Sequence, residues 1–265
     1  MTADLGTRGT RPFWLRPKWL FGHALCLGLV AVFVWCGLWQ LRRLHGKEHR
    51  RDLVDSRMAA AARPLDQVLA GDRSPADVAY TRVTATGTWL SDDTILVRSK
   101  TLNQQPGYDV LDVLRVAGTG YDGIVVNRGF APVGAGGEAA VRHAVSLRSA
   151  TVTVEGILRP QEERGFFGPK EQPTGVLTVL NRVDVARIQQ QLPALHLATS
   201  ALQLTSSTPP QGPEPVVLPR PATDLGPHKG YAIQWFLFAT IGVVGYPILL
   251  WRTAQDEARA LADGV

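Results

Sequence analysis

The chain has 265 residues and a net charge of +5. The positive excess lies at its start, because residues 1–51 hold nine Lys or Arg against two acids, whereas residues 52–228 hold 16 against 18. A nucleic-acid-binding domain needs a basic surface on its folded part, so this distribution excludes nucleic acid as a partner and favours lipid headgroups.

The first predicted element is a membrane-spanning helix over residues 19–39, which follows an N-terminal tail of residues 1–18. Its 21 residues carry one ionisable group, His23, and as a helix they cover about 31 Å, which matches the hydrocarbon core of a bilayer. Trp19 and Trp39 stand at its two ends, where aromatic rings meet the headgroup layer. The stretch exceeds the apolar core of a signal peptide, so we expect it to remain as an anchor.

The only two cysteines, Cys26 and Cys36, both fall inside this span. The middle of the chain therefore has no disulfide, no C-x-x-C metal or redox site, no copper site and no C-x-x-C-H motif for covalent attachment of haem. Beyond the span, residues 40–63 are predicted to continue as a basic helix until Pro64 ends it.

Residues 64–206 are predicted to form a mainly antiparallel β domain, a small barrel or sandwich, with one short helix at 184–192. Gly87 and Gly156 interrupt strand patterns and predict bulges or bends that curve the sheet. The seven predicted strands are rich in Val, Thr, Ile and aromatic residues, and they cover 80–90, 94–99, 108–116, 124–130, 151–158, 176–180 and 201–206.

A Pro-rich strap over residues 207–230 is predicted to return the chain to the membrane. Residues 231–251 then form a second spanning helix, followed by a tail of residues 252–265. Lys and Arg flank both ends of the first span, so the positive-inside rule does not decide the orientation. We favour a two-pass plasma-membrane protein with both termini in the cytoplasm, since long segments are translocated largely regardless of charge.

The β domain offers no catalytic motif. It contains no G-x-S-x-G, no H-E-x-x-H and no P-loop, so we do not expect an enzyme. The histidines near the span ends are more informative, because His45, His49 and His228 would share one side of the membrane. An imidazole there suits an axial ligand to a planar apolar macrocycle whose propionates seek basic groups. A plain interfacial histidine near lipid phosphates is the alternative.

Two segments at the span ends carry a family resemblance. Residues 37–47, G-L-W-Q-L-R-R-L-H-G-K, and residues 228–236, H-K-G-Y-A-I-Q-W-F, resemble the membrane-flanking signatures of the Surfeit locus protein 1 family of cytochrome c oxidase assembly factors. Between them, V-N-R-G-F-A-P at 126–132 is similar to the V-N-R-G-W-x-P of that family, with Phe130 in place of the usual Trp. The order of the motifs agrees too, and we expect a bacterial member.

The resemblance implies a non-enzymatic factor that helps to build haem-copper oxidase. Such a factor would bind haem a transiently or assist its insertion into the catalytic subunit of cytochrome c oxidase. Its partners would be that subunit, a haem a biosynthesis enzyme and the lipid bilayer. His228 corresponds to the candidate ligand of the haem iron. Seven further residues are predicted to line the cofactor site: Tyr231, Gln234, Trp235, Trp39, Gln40, Arg43 and Arg128.

Three of these positions also have an interpretation from chemistry alone. Gln40 and Gln234 lie at similar depth and would hydrogen-bond across a helix pair. Arg128 suits a buried or rim ion pair, or else a contact with a haem propionate or with the oxidase. Two other functions stay open: a stable accessory subunit of the oxidase without haem binding, and a membrane-tethered binding module unrelated to respiration.

Overall fold

The computed structural model describes residues 12–71, 73–90, 94–134, 136–146, 150–160, 162, 164–166 and 168–263. The first eleven residues of the predicted N-terminal tail and the last two of the C-terminal tail lie outside these ranges. The chain divides into two compact units. Met1–Arg51 together with Thr223–Val265 form the helical unit, and Asp52–Ala222 form the β unit.

A short 3₁₀ turn at Phe13–Leu15 precedes the regular elements. The elements in chain order are α1 (Pro17–Ala59), β1 (Arg63–Pro64), α2 (Leu65–Leu69), α3 (Pro75–Val78), β2 (Arg82–Trp89), β3 (Ile95–Leu102), β4 (Gln105–Val116), β5 (Gly123–Pro132), α4 (Gly137–Val145), β6 (Thr151–Arg159), β7 (Val179–Leu180), α5 (Val185–Gln191), β8 (Ala201–Thr208) and α6 (His228–Asp263).

The helical unit is an antiparallel pair of α1 and α6, and each helix is long and apolar enough to cross a membrane. Glycines mark the contacts between the two helices. A Cβ on Gly37 would lie 2.8 Å from the Phe236 ring, and a Cβ on Gly242 would lie 2.9 Å from Val30 Cγ2. Lipid gives apolar helices no hydrophobic reason to pair, so small residues that allow close approach of the backbones are typical of such contacts.

The β unit contains a closed barrel. Its five strands follow the order β2-β6-β8-β5-β4, and β4 pairs back with β2. All neighbours in the barrel are antiparallel except β5 and β8, which are parallel. Gly87 pairs with Val152 on one side and with Val116 on the other, and a Cβ there would collide with the Arg115 carbonyl. The predicted bend at Gly87 is thus the closure point, and a register shift beside Gly156 confirms the predicted bulge.

The central strands β4 and β5 bury both of their faces. Leu114 and Ile124 pack into the cluster formed with β2, β6 and β8. Val113 and Val125, one position away, pack instead against β3 and α5. Because successive strand residues point to opposite faces, strands buried on both sides read as nearly continuous apolar runs. β3 pairs with β4 at residues 105–111, whereas β2 pairs with β4 at residues 114–116, so β3 extends the sheet outside the closed barrel.

The described part of the β unit has four short helices, α2 to α5, where the sequence predicted one. The predicted helix at 184–192 is α5, and the Asp184 side chain caps it by accepting a hydrogen bond from the Arg187 amide at 3.0 Å. The helices α2 and α3 were not predicted because each is too short to show a helical period, and α4 was not predicted because it offers only two buried positions. α4 buries only Val141 and Val145, which lie four residues apart.

The predicted strap is fastened to the barrel as far as Ala222, the last residue of the β unit. Phe130 and Val216 exchange two backbone hydrogen bonds of 2.7 Å. The Gln203 side chain donates to the Pro219 carbonyl at 2.9 Å. Gly129 has φ +136, and a Cβ there would collide with the Val216 carbonyl, so the strap occupies the space of a side chain.

Candidate functional site

One side-chain hydrogen bond joins the two segments at the span ends. His228 Nδ1 lies 2.8 Å from Gln40 Oε1. Gln40 is 8% exposed and His228 is half-buried, so the bond is largely shielded from solvent. His228 is the first residue of α6, and Gly226 before it adopts φ +66, which glycine tolerates without strain.

This bond decides which imidazole nitrogen of His228 is available. The amide oxygen of Gln40 can only accept, so Nδ1 carries the hydrogen and donates it. In the neutral imidazole, Nε2 then keeps its lone pair. Among the described residues, Nε2 of His228 has no hydrogen-bond partner. Histidines that bind metals commonly show this arrangement, because an acceptor behind the ring fixes its tautomer and orientation.

His23 in the same helix pair shows the opposite arrangement. Its Nδ1 lies 2.7 Å from the Tyr246 hydroxyl, and its Nε2 lies 3.2 Å from the Trp14 carbonyl oxygen. Both nitrogens are engaged, so neither is free for a metal. The cavity of about 560 Å³ beside them has an almost wholly apolar lining, which includes Phe33 and Phe238. We therefore place the candidate site at His228.

The other predicted site residues of the helical unit differ in their packing. Trp235 is half-buried and stacks on Phe33 with ring centroids 5.8 Å apart. The predicted bond between Gln40 and Gln234 is wrong, because α6 begins at His228, three residues before the predicted start, and sets the imidazole against Gln40. Four predicted site residues have exposed side chains: Trp39, Arg43, Tyr231 and Gln234.

Arg128 belongs to the β unit, where it forms a buried ion pair. Its Nη1 lies 2.9 Å from Asp112 Oδ2 and 2.7 Å from the Val145 carbonyl oxygen. Its side chain is 3% exposed, and its guanidinium carbon lies 5.9 Å from the centre of the Trp89 ring. A guanidinium satisfied inside a domain is not presented to an external ligand. The structure thus matches the ion-pair interpretation, and we leave Arg128 out of the candidate site.

Lys47 is a residue of this site that the sequence analysis did not single out. A Cβ placed on Gly226 would lie 3.1 Å from Lys47 Nζ and 3.8 Å from His228 Nε2. The ammonium and the available imidazole nitrogen therefore both lie close to the same glycine. A signal was present in the sequence, because Lys47 follows Gln40 by seven residues, two helical turns, and so lies on the same face of α1. His45 and His49, by contrast, are exposed.

No second metal site competes with His228 in the described ranges. Within them, no three side chains of His, Cys, Asp or Glu lie together as a ligand group. A haem iron makes a smaller demand on the protein, because the macrocycle supplies its equatorial ligands and the chain supplies an axial one. A single imidazole with one free nitrogen is thus a suitable donor for haem.

The comparison with known proteins supplies the family. The sequence pattern of the SURF1 family matches residues 27–240, a range that includes Gln40, His228 and the whole β unit. The chain belongs to the SURF1 family. A SURF1-like protein of Monosiga brevicollis is 28% identical over 231 residues, which cover 81% of this chain and 82% of that protein.

Two bacterial SURF1 relatives cover more of the chain. An uncharacterized SURF1-like protein of Mycobacterium tuberculosis is 30% identical over 257 residues, covering 94% of this chain and 90% of its own length, and one of Mycobacterium bovis gives the same values. SURF1 proteins are generally assembly factors for cytochrome oxidase. The match confirms the resemblance to the Surfeit locus protein 1 family that residues 37–47 and 228–236 carry.

Proposed function

We propose that this SURF1 protein is a non-enzymatic assembly factor for haem-copper oxidase that holds haem a at the His228 end of the helix pair. The observation that carries the proposal is the bond from His228 Nδ1 to Gln40 Oε1, which leaves Nε2 as an iron ligand. The membership of the chain in the SURF1 family connects such a site to cytochrome oxidase.

Each residue of the proposed site has a distinct task. His228 ligates the iron through Nε2, and Gln40 holds the imidazole in the required tautomer. Trp235, stacked on Phe33, lies two helical turns after His228 on α6 and offers an apolar surface there. Tyr231, Gln234 and Trp39 are exposed and free to contact the edge of the macrocycle or the headgroup layer, and Arg43 offers charge for a propionate. When bound, haem a supplies the redox centre that the oxidase requires, whereas the chain supplies binding and orientation.

The two apolar helices support the proposed location in the membrane. α1 and α6 cross the plasma membrane, and the β unit, as the segment between them, lies outside with both termini in the cytoplasm. The catalytic subunit of the oxidase and a haem a biosynthesis enzyme are the proposed partners, because the ligand must come from one membrane protein and pass to another. The exposed side chains of Trp39 and Tyr231 suit brief contacts at the headgroup layer.

A single absorption experiment tests the proposal. The full-length protein is co-expressed with haem a synthesis enzymes, purified in detergent and examined for a haem spectrum. We expect a haem band in the wild type and its loss or strong shift in His228→Ala, with the protein still inserted and folded. His45→Ala combined with His49→Ala is the control, because these imidazoles are exposed on α1 and make no bond with Gln40.

Two results would contradict the proposal. Unchanged haem content in His228→Ala, with oxidase assembly intact, would remove the ligand role and favour a stable accessory subunit without haem. Normal oxidase haem a in a strain that lacks the whole gene would remove the assembly role, and it would favour a tethered module unrelated to respiration.

A further inference from the structure

We propose that Lys47 binds the carboxylates of the macrocycle whose iron His228 holds. This inference rests on the proposed function, and it names the group that recognises the acidic edge of the ligand. Lys47 Nζ and His228 Nε2 both lie close to Gly226, where a Cβ would come within 3.1 Å of the ammonium and 3.8 Å of the imidazole nitrogen. A side chain at this position would therefore crowd the ammonium and contact the imidazole.

Among the described residues, none pairs with the charge of Lys47. In the described ranges, the half-buried Lys47 forms no ion pair and no hydrogen bond. Partial burial removes some of the hydration of an ammonium, and that loss is costly unless an anion or an acceptor replaces the water. The imidazole of His228 cannot replace this water as an acceptor. Iron ligation requires it to be neutral and uses its free nitrogen for the metal. An anion contributed by the ligand completes the site.

The position of Lys47 distinguishes it from the arginines before it. Arg42 and Arg43 are exposed, whereas Lys47 is half-buried against the loop that leads into α6. A compact ammonium on a flexible stem can follow a carboxylate at the edge of a macrocycle without the fixed fork geometry of a guanidinium. The length of the stem also allows the charge to reach the polar edge of a bilayer.

The occupant is a carboxylate on the macrocycle, and a lipid phosphate is the competing source of negative charge. These two sources respond differently when the ligand is esterified. Haem b and its dimethyl ester share the iron and the ring, but the ester has no charged propionate. If Lys47 contacts the propionates directly, a Lys47 substitution lowers the affinity for haem b and not the affinity for the ester. If Lys47 binds a lipid phosphate instead, the substitution affects both ligands alike.

The test is a spectral titration of the full-length protein in detergent with haem b and with its dimethyl ester. We expect Lys47→Met to weaken binding of haem b about tenfold, since a charge-assisted hydrogen bond is lost, and to leave binding of the ester unchanged. Lys47→Arg restores most of the affinity because it keeps the charge. Lys229→Met is the matched control, because this exposed lysine follows His228 directly in the chain and its removal changes the net charge equally.

The outcomes separate this inference from the proposed function. Equal weakening of both ligands by Lys47→Met, or no weakening of either, would overturn the contact while leaving His228 as the ligand. Weakening by Lys229→Met as large as that by Lys47→Met would overturn it too, since the effect would then be one of net charge. Retention of the wild-type absorption band in His228→Ala would overturn the proposed function itself.

Discussion

Gln40 Oε1 accepts a hydrogen bond from His228 Nδ1 across the two helices, although 188 positions separate the two residues in the chain. The first prediction concerns this acceptor. Gln40→Leu removes it, so the imidazole is free to rotate and to exchange tautomers, and we expect haem affinity to fall about 10- to 100-fold. Absorption titration measures the loss, and Gln255→Leu, which replaces an exposed glutamine elsewhere on α6, should leave the affinity unchanged.

The substitution Gln40→Glu distinguishes two roles of residue 40, orientation of the His228 imidazole and packing between the helices. The carboxylate keeps an acceptor against Nδ1 and makes the imidazole a stronger donor to iron, so the band is retained and the reduction potential of the bound haem falls. A reduction potential equal to that of the wild type would show that the acceptor at residue 40 does not act on the iron through His228.

The second prediction concerns the other end of the helix pair, where the Tyr246 hydroxyl bonds His23. Tyr246→Phe removes an interhelical hydrogen bond, which in membrane proteins contributes about 1 kcal/mol. We expect a loss of that size in the unfolding free energy in detergent, with an unchanged haem spectrum. Thr253→Val is the control, since that hydroxyl bonds the Leu249 carbonyl of its own helix. A stability loss as large in the control would refute the interhelical role.

The elements that follow from short-range pattern could be predicted from the sequence. The helices α1 and α6 contain long apolar runs, and β4 and β5 are runs of buried residues. β7 is reduced to Val179–Leu180, where the pattern predicted a strand over 176–180, because it is an edge strand that pairs with β3. Closure of the barrel between β2 and β4 depends on pairing at long range, which no local period encodes.

The candidate site was predictable in its residues and not in its contacts. His228 and Gln40 stand in recognisable segments, but their bond depends on the residue at which α6 begins and on how the two helices are rotated. Lys47 lies in the same segment as Gln40, but its proximity to His228 depends on the fold, which brings both residues next to Gly226. Arg128 was ambiguous from sequence because a buried partner such as Asp112 is brought to it by strand pairing.

The third prediction is a pH dependence set by Asp109. Burial raises the pKa of this carboxyl above its ordinary value of 3.8, and Lys100 Nζ, 3.7 Å away, opposes the shift only in part. A carboxyl with a raised pKa favours folding in its protonated form. Its contribution is therefore fully present below pH 3.8 and is lost as the pH rises through the raised pKa.

Denaturant unfolding of the fragment 52–222 over a series of pH values measures this dependence. Asp109→Asn should flatten the part of the pH curve above 3.8. Lys100→Met removes the opposing charge and should move the loss to higher pH. An Asp109→Asn curve parallel to that of the wild type would assign the pH dependence to other groups.

The fourth prediction is topology. If α1 and α6 both span the membrane with the termini inside, a reporter that is active only in the cytoplasm should work when fused after Val265. The same reporter inserted near Gly136, in the loop before α4, should be inactive. The reverse pattern would place His228 on the cytoplasmic side and would contradict the proposed orientation.

The last prediction concerns Arg128 and Asp112. Removing one member of a buried ion pair leaves an uncompensated charge, so Arg128→Met should cost about 3–5 kcal/mol of the unfolding free energy of the fragment 52–222. Arg128→Met combined with Asp112→Leu removes both charges and should recover part of that loss, because no lone carboxylate then stays buried. Denaturant titration of the wild type, the two single variants Arg128→Met and Asp112→Leu, and the double variant measures the coupling between the two residues.

The same substitution decides between the two interpretations of Arg128. A purely structural ion pair predicts that the folded fraction of the full-length Arg128→Met protein binds haem as tightly as the wild type. If Arg128 instead reached a propionate, haem affinity would fall in that folded fraction while the unfolding free energy of the fragment changed little. Haem content per folded molecule, set beside the stability of the fragment, therefore distinguishes a residue that holds the barrel together from one that holds the ligand.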